Sequence, residues 1–493
     1  MKYKKTLAFL STAVLALSSV SMTAFADSYF DSANIKMTQL LDVNTSDGVE
    51  VTNYSELASA IKEGKSKIYV LNSIDMEDGI NLSLSNQSII GVPSKDGTLP
   101  VLNFENMKGA NDITKNKSSD SDVAVRISSS NNEIKNFVIE KGHDNGILIK
   151  GTKATKNKVT NCITRYNNDS GLQIAGGANG NTITNVYSYR NCDAFTLGSN
   201  ADGFAIKLGA GSSKTTDLGK ILDTRNVFYG CAAWENSDDA WDSFDKDVSE
   251  QSEDFQKVGG YWTYRNDYLN CICWNNGLAT TALGFDDYNN GLSLDENLSY
   301  IRRFKALSDE ETYNKFVSEY NAGTLCEKTA EAYYAKLDEI FGAIPTSKGE
   351  FTASQIAGEN WGGNPNGFKL GSKFSQTNSL RIMKNCIAFD HERYGFDKNN
   401  SGAKLFAENC ISFNNFRNYH LETYTAYKWN NVSGWDNKDG DDLPTKTADG
   451  VDLKVDSSNS EEKEKLIRSA SKEFITNAQS DKLTVTDIFD KVF

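Results

Sequence analysis

Asn161-Cys162-Ile163-Thr164-Arg165-Tyr166-Asn167 is followed, 24 residues on, by Asn185-Val186-Tyr187-Ser188-Tyr189-Arg190-Asn191. The same beginning recurs as Asn136-Phe137-Val138, Gly230-Cys231-Ala232, Asn270-Cys271-Ile272, Asn385-Cys386-Ile387, Asn409-Cys410-Ile411 and Asn431-Val432-Ser433. Four steps between these starts are 25, 24, 24 and 22 residues; the other three, 45, 40 and 115, are stretched by insertions. Six residues after the start stands Asn167, Asn191, Asn236, Asn276, Asn415 or Asn437, with Gly142 and His391 as the exceptions. Short β-prone runs broken by Gly and Asn at this period predict a parallel β-helix. One coil cannot bury its inner face, so stacked coils share a continuous core. The repeated Asn residues are expected to form a ladder of amides from coil to coil. His391 is expected to be structural in it.

Working outward, solenoid ends need covering. Asn53-Tyr54-Ser55-Glu56 predicts a capping box, then a short helix through Leu57, Ala58 and Ile61 that stops at Gly64. Ser460 to Ile475 predicts an amphipathic helix packed on the last coils. From about 286 to 359 the repeat breaks. Ser308–Tyr320, opened by a Ser308/Glu311 capping box, and Thr329–Phe341 are expected to be helical within an insertion that walls a cleft. The predicted organisation is a leader over 1–26 and one β-helical catalytic domain over 27–493, with its core at about 65–455.

Lys2, Lys4 and Lys5, the apolar run Leu7–Val20 and the small residues of Ala24-Phe25-Ala26 form a secretion signal. The mature chain is expected to start at Asp27 and to be extracellular. The run is too short for a membrane span, and no later stretch reaches spanning length. Losing three leader lysines and no acid takes the net charge from −14 to about −17. That excludes nucleic acid as a natural partner. It admits an anionic substrate only where a cation or a basic cleft offsets repulsion. A monomer is expected. Of the eight Cys, Cys162, Cys231, Cys271, Cys386 and Cys410 share one repeat position, so they are expected as stacked small hydrophobes rather than bridges.

The chemistry lies in columns. A Gly (or Ala) followed by a large apolar residue marks the register at Gly171-Leu172, Gly203-Phe204, Ala240-Trp241, Gly367-Phe368 and Gly395-Phe396. One residue earlier stand Ser170, Asp202, Asp239, Asn366 and Tyr394; two residues later stand Gln173, Ala205, Asp242, Lys369 and Asp397. Asp202 and Asp239 should then be one strand spacing apart, ~4.8 Å. With the Asn270 coil between them, Asp242 and Lys369 should be roughly 10 Å apart. Carboxylates that close repel unless protonated or bridged by a cation. Asp202, Asp238, Asp239 and Asp242 offer oxygen ligands for calcium. The competing reading makes them turn acids satisfied by backbone N–H groups. Lys369 is the candidate Brønsted base, although an ordinary lysine titrates near ~10.4. Lys207 has the same parity and stays open as its rival. His143, His391 and His420 make no metal or triad spacing; His143-Asp144 is kept as a check for glycosidic-bond hydrolysis. Trp234, Trp241 and Trp274 are expected to pack.

Ala201-Asp202-Gly203-Phe204-Ala205-Ile206-Lys207-Leu208, Asn236-Ser237-Asp238-Asp239-Ala240-Trp241-Asp242 and Asn366-Gly367-Phe368-Lys369-Leu370-Gly371 resemble motifs of the pectate lyases of polysaccharide lyase family 9, in the same order. Gly395-Phe396-Asp397-Lys398-Asn399-Asn400 resembles that family too, and the similarity spans roughly 120 to 435. The resemblance implies an all-β, right-handed parallel β-helix that cleaves polygalacturonate by calcium-assisted β-elimination. By motif, Asp202, Asp238, Asp239 and Asp242 would bind Ca2+ and Lys369 would be the base. Lys207, Arg393 and Lys398 would be candidates to grip neighbouring carboxylates of an acidic plant polysaccharide. Ala240 stands where the family often has Gly, and insertions follow Gly211 and Asp286, which leaves substrate identity open between polygalacturonate and backbones such as rhamnogalacturonan. The alternatives are a β-helical hydrolase using paired acids and a non-catalytic carbohydrate-binding β-helix.

Overall fold

The computed structural model describes residues 43–108, 122–207, 212–213, 224–244, 263–371, 380–399, 402–484 and 486–493. The leader over 1–26 and the insertion after Gly211 lie outside or mostly outside these residues. Within them the chain coils into a parallel β-helix. One face is a nine-stranded parallel sheet running from Ile80–Leu82 through Val125–Ile127, Ile147–Lys150, Leu172–Ala175, Phe204–Lys207, Trp241–Phe244, Phe368–Lys369 and Tyr394–Asp397 to Arg417–His420. The other faces belong to a sixteen-stranded sheet that includes Glu133–Glu140, Lys158–Arg165, Thr182–Tyr189, Leu380–Phe389, Lys404–Phe413 and Thr425–Trp435.

The repeated Asn has a conformational cause. Asn136, Asn161, Asn185, Asn270, Asn385, Asn409 and Asn431 all have φ between 50° and 61°. This left-handed bend folds each long strand, and Asn tolerates it better than most residues. Gly230 takes the same bend at φ 64°, where a Cβ would come 2.4 Å from Asn185 Oδ1. Side chains link these bends: Asn161 Nδ2 donates to Asn136 Oδ1, and Asn409 Nδ2 to Asn385 Oδ1 (3.2 and 2.8 Å). Five residues later Lys141, Tyr166, Arg190, Glu235, Asn275, Asp390 and Asn414 bend the same way, with φ of 50–60°.

The expected ladder follows that second bend. Asn167 N donates to Asn191 Oδ1, Asn191 N to Asn236 Oδ1, Asn236 N to Asn276 Oδ1, and His391 N to Asn415 Oδ1, at 2.9–3.2 Å. A further row, Asn132, Asn157, Asn181, Asn226 and Asn266, runs up the next corner. These buried amides satisfy the backbone at corners, where sheet pairing stops.

Inside, Cys162, Cys231, Cys271, Cys386 and Cys410 are buried in the core, and all eight thiols are free. Phe204, Trp241, Phe368, Phe396 and Tyr419 stack face to face with centroids 4.6–5.2 Å apart. Trp234 stacks on Trp274 and Tyr189 in an outer aromatic column (4.9 and 4.7 Å), so all three repeat tryptophans pack.

The ends and the insertion differ in detail from expectation. The N-terminal helix spans Tyr54–Lys62 with Asn53 capping Glu56 N, but the Glu56 carboxylate returns to Thr52 N rather than to Asn53. The C-terminal helix runs Ser460–Gln479, and it lies along the flank rather than over the last coils alone. Phe474 packs edge-on against Tyr187 (5.0 Å) while Arg468 lies over Phe413. Helical structure in the insertion begins at Ala279–Ala282 and ends at Ala353–Ala357. The helix expected from Ser308 spans Glu310–Asn321, capped by Asp309 on Thr312 N. Ser308 instead donates back to Phe304 O (2.7 Å), closing the preceding helix Ser299–Leu307. Ala330–Phe341, capped by Thr329, matches its expectation. Arg190 pins the insertion to the coils through Glu235 on one side and Asp287 and Asp295 on the other (2.7–2.9 Å).

Candidate metal centre and lysine pair

The nine-stranded sheet sets the site. Its registers pair Phe204 with Trp241, Trp241 with Phe368, and Phe368 with Phe396. These aromatics point inward, so their neighbours Ala205, Asp242, Lys369 and Asp397 point outward in one column that ends on His420. Asp242 and Lys369 are direct strand partners, not two steps apart. The Asn270 coil pairs in the larger sheet at Ile272–Trp274, then leaves into the helices without adding a strand here. That corrects the ~10 Å expectation to a single strand spacing of ~4.8 Å.

Asp202, Asp238 and Asp239 lie at the start of these strands, fully or almost fully buried, each with an oxygen within 4.8 Å of the others. Asp238 is held on both oxygens: Asn364 N donates to Oδ1 and Asn200 N to Oδ2, each at 2.8 Å. Asp239 accepts from Asn366 Nδ2 and Lys369 Nζ, each at 2.8 Å. Asp242 faces two ammonium groups, Lys369 at 3.2 Å and Lys207. Among the described residues neither Asp202 oxygen accepts a hydrogen bond; Lys207 Nζ, 3.0 Å from Oδ2, faces it as an ion-pair partner, which leaves Oδ1 as the oxygen with nothing to bond. A buried carboxylate oxygen left so is costly. It argues for an occupant, and a donor set of carboxylate oxygens without sulfur suits a hard divalent cation.

Burial pushes the pKa values of Asp202 and Asp239 well above the ordinary carboxylate range, against the pull of Lys207 and Lys369 respectively. Burial also raises Asp238. Burial opposes ionisation of Asp242 too, but Lys207 and Lys369 together win and hold it below the usual range. Burial alone would lower Lys369; Asp239 and Asp242 outweigh it and keep the ammonium well above its ordinary value.

The other candidates divide. Lys207 reaches the cluster, so both lysines stand at it. Arg393 is exposed, its Nη1 donating to Asn364 Oδ1 at 3.2 Å. Lys398 is buried and paired with Glu422. His143 contacts the Glu105 carbonyl (3.0 Å), and His391 sits in the ladder. His420 is held by Asp397 on Nδ1 (2.8 Å), its Nε2 3.8 Å from Glu422 and 4.0 Å from Asp442. Both of those carboxylates already carry a cation, Lys398 and Arg417.

Sequence reasoning missed two features. Counting two residues past each ladder position gives Asp144, Asp169, Asp193 and Asp238 on four successive coils, then Leu278, Arg393 and Arg417. The column thus carries acids on one side of Lys369 and two arginines on the other, Arg417 being paired with Asp439 and Asp442. Burial, then Asp144 and Asp193, push Asp169 well up. This column was legible by the counting that found Asp202 and Asp239. The backbone donors of Asn200 and Asn364 were not, since every non-proline residue carries an N–H.

A parallel β-helix with a carboxylate cluster and lysines on one sheet edge defines the class of protein. Residues 41–297 match the family described as Pel9A-like, right handed beta helix region, and the chain belongs to that family. It is 39% identical over 110 residues to pectate lyase L of Dickeya chrysanthemi, covering 22% of this chain and 23% of that protein. It is 37% identical over 123 residues to pectate lyase L of Paenibacillus polymyxa (strain SC2), covering 23% and 24%. The aligned stretch thus spans about a quarter of the length of these relatives. Among solved structures, the crystal structure of pectate lyase Pel9A aligns with TM-score 0.46 at 19% identity, over 80% of this chain and 73% of that one. A rhamnogalacturonan lyase aligns with TM-score 0.38 at 14% identity, over 79% and 78%.

Proposed function

We propose that this protein is a secreted, monomeric pectate lyase whose catalytic unit spans 27–493 and which cleaves polygalacturonate by calcium-assisted β-elimination. One observation carries the reading. Lys369 Nζ lies 2.8 Å from Asp239 and 3.2 Å from Asp242, beside a buried Asp202 carboxylate that accepts no hydrogen bond among the described residues. The names of the curated relatives, pectate lyase L, support the same chemistry.

Asp202, Asp238, Asp239 and Asp242 would hold Ca2+. When bound, the cation supplies Lewis-acid stabilisation of charge on a uronate carboxylate and offsets repulsion between an acidic protein and a polyanion. The C5 proton of a galacturonate is α to that carboxylate. Lys369 takes it, the electron pair forms the C4–C5 double bond, and the C4 oxygen departs with the leaving chain. Lys369 must be neutral to act, so carboxylates that spend their charge on a cation hold its proton less firmly. Lys207, paired with Asp202 and Asp242, keeps their charge balanced on the opposite side. Arg393, exposed and bonded to Asn364, would take a neighbouring carboxylate of the polymer. Lys398, paired with Glu422, would be a further candidate for one.

The test is ultraviolet absorbance of unsaturated chain ends during incubation with polygalacturonate, in calcium and in chelator. A calcium-dependent rise is expected. No rise on polygalacturonate or on rhamnogalacturonan overturns the lyase reading, and a rise on rhamnogalacturonan alone moves the substrate.

A further inference from the structure

Asp238 sits on the β-helix, yet among the described residues its side chain is bonded only by two segments inserted into the coil pattern. One is the loop after Asn191, which ends in Asn200 N; the other is the returning arm of the helical insertion, which ends in Asn364 N. Those segments are fastened to each other. Gly362 N donates to Leu197 O (2.8 Å), Ser199 Oγ to Gly362 O (3.2 Å), and Ser347 N to Phe195 O (2.9 Å). At the centre the Trp361 ring lies flush on Gly198. A Cβ there would come 2.3–2.7 Å from three ring atoms, and Gly198 has φ +90°, so the position needs glycine twice over. Trp361 Nε1 donates to Gly277 O (2.9 Å), and Ser237, the residue before Asp238, donates to Gly198 O (2.9 Å).

We propose that Trp361 on Gly198 is a latch that closes the loop and the helical insertion as a clamp around Asp238, and thereby sets the affinity of the carboxylate cluster for its divalent cation. This rests on the reading of that cluster as a cation site. The insertion is then an organiser of the metal centre. Each Asp238 oxygen takes its N–H from a different segment, so the carboxylate plane is fixed only while the two segments keep their spacing. Trp361 is a positioning residue: it acts on Asp238 through Asn364 and through Gly198.

The test is calorimetric titration of calcium into metal-stripped whole protein, as wild type, Trp361→Ala, Trp361→Phe and Gly198→Ala, with lyase activity measured against calcium concentration. Groups that orient metal ligands are worth roughly 10–100-fold in affinity, so Trp361→Ala and Gly198→Ala should each raise the calcium Kd at least about tenfold. Trp361→Phe, which keeps a ring on Gly198, should recover most of the loss. The calcium concentration for half-activity should move with Kd, while kcat at saturating calcium stays near wild type. An unchanged Kd in Trp361→Ala or Gly198→Ala overturns the latch, as does a lower kcat at unchanged Kd, which is what mere loss of folded protein gives. If Trp361→Ala does not fold, Gly198→Ala, which keeps the indole and displaces it, decides alone. A wild type that binds no calcium defeats the underlying reading instead, so the two failures are distinct.

Discussion

Lys369 is the strand partner of Asp242, its Nζ 3.2 Å from Asp242 Oδ1, although the whole helical insertion separates them in the chain. Lys207 approaches the other oxygen of the same carboxylate from the preceding strand. Asp242 is therefore shared, and the two ammonium groups differ in their second partner: Asp239 for Lys369 and Asp202 for Lys207. Among the described residues Asp202 is the acid that accepts no hydrogen bond, so Lys207 balances charge there while Lys369 stands between two carboxylates that do accept one.

That difference separates the lysines in kinetics. Lys369→Ala is expected to lower kcat by about 10²–10⁴-fold, the usual worth of a positioned proton acceptor. Its calcium affinity should not weaken, because a competing cation has gone. Lys207→Ala should keep most of its kcat at saturating calcium and show a changed Kd for the ion. Calcium-dependent unsaturated product and calorimetric Kd, measured on both variants, check this; full activity in Lys369→Ala with loss in Lys207→Ala would transfer the base to Lys207.

Metal removal has a pH signature. Burial raises the pKa values of Asp202 and Asp239 above those of an unfolded chain. Each therefore favours folding below the ordinary carboxylate pKa and loses that contribution as pH rises through its raised value. Asp242, held low by the lysines, works oppositely: its contribution is present above the ordinary value and is lost only in stronger acid. Metal-stripped protein should thus lose stability from the carboxylate range towards neutrality. Calcium at a hundredfold excess over Kd would add about 2.7 kcal/mol, and more of it should register at pH 8 than at pH 5. Calorimetric melts in calcium and in chelator at the two pH values read this directly; equal shifts at both would refute it.

Much of the fold was legible because the repeat is conformational. Asn at a left-handed bend and Asn in a buried ladder are both forced by backbone geometry, so they print a period on the sequence. Asp202 and Asp239 followed from that period by counting. Asp242 and Lys369 came out one step too far apart, because a coil can pair in one sheet and leave before reaching the other without disturbing its own motif. The second bend holds Lys141, Tyr166, Arg190 and Glu235 beside Asn275, Asp390 and Asn414, so it shares no single residue type and prints a weaker signature. The helix cap slipped from Ser308 to Asp309 because adjacent Ser and Asp are equally good caps.

The ladder gives a stability prediction. Asn191 Oδ1 accepts from Asn167 N and Nδ2, and its Nδ2 donates to Thr164 O, Ser188 Oγ and Asn236 Oδ1 (2.8–3.2 Å). Truncation strands several buried groups at about 1–3 kcal/mol each. Asn191→Ala should cost about 3 kcal/mol or more in urea unfolding. Asn431→Gly, at the exposed end of another row, keeps the left-handed bend at φ 50° accessible and loses one bond of 2.8 Å to Asn409, so it should cost about 1 kcal/mol. Equal costs would mean that the ladder is ornament on a fold held by its apolar core.

His391 makes the same ladder acid-sensitive. It stands where the other coils place Asn, its N–H and ring Nδ1 both directed at Asn415 Oδ1 (2.9 and 3.0 Å) and its Nε2 3.5 Å from Asn276 Nδ2. Burial pushes its pKa down to about 4 from 6.5. A histidine lowered on folding contributes stability that is fully present above about 6.5 and is lost as pH falls through about 4, because the unfolded chain takes the proton first. That loss is on the order of 3 kcal/mol. His391→Asn offers Asn415 and Asn276 an amide like those elsewhere in the row and removes the titration. The variant should match wild type near pH 7.5 within about 1 kcal/mol and be more stable than wild type at pH 4.5, so urea midpoints should nearly coincide at the higher pH and separate at the lower one. Parallel pH profiles for the two proteins would show that His391 carries none of the acid sensitivity, and would place it on carboxylates held low by cations, such as Asp242, instead.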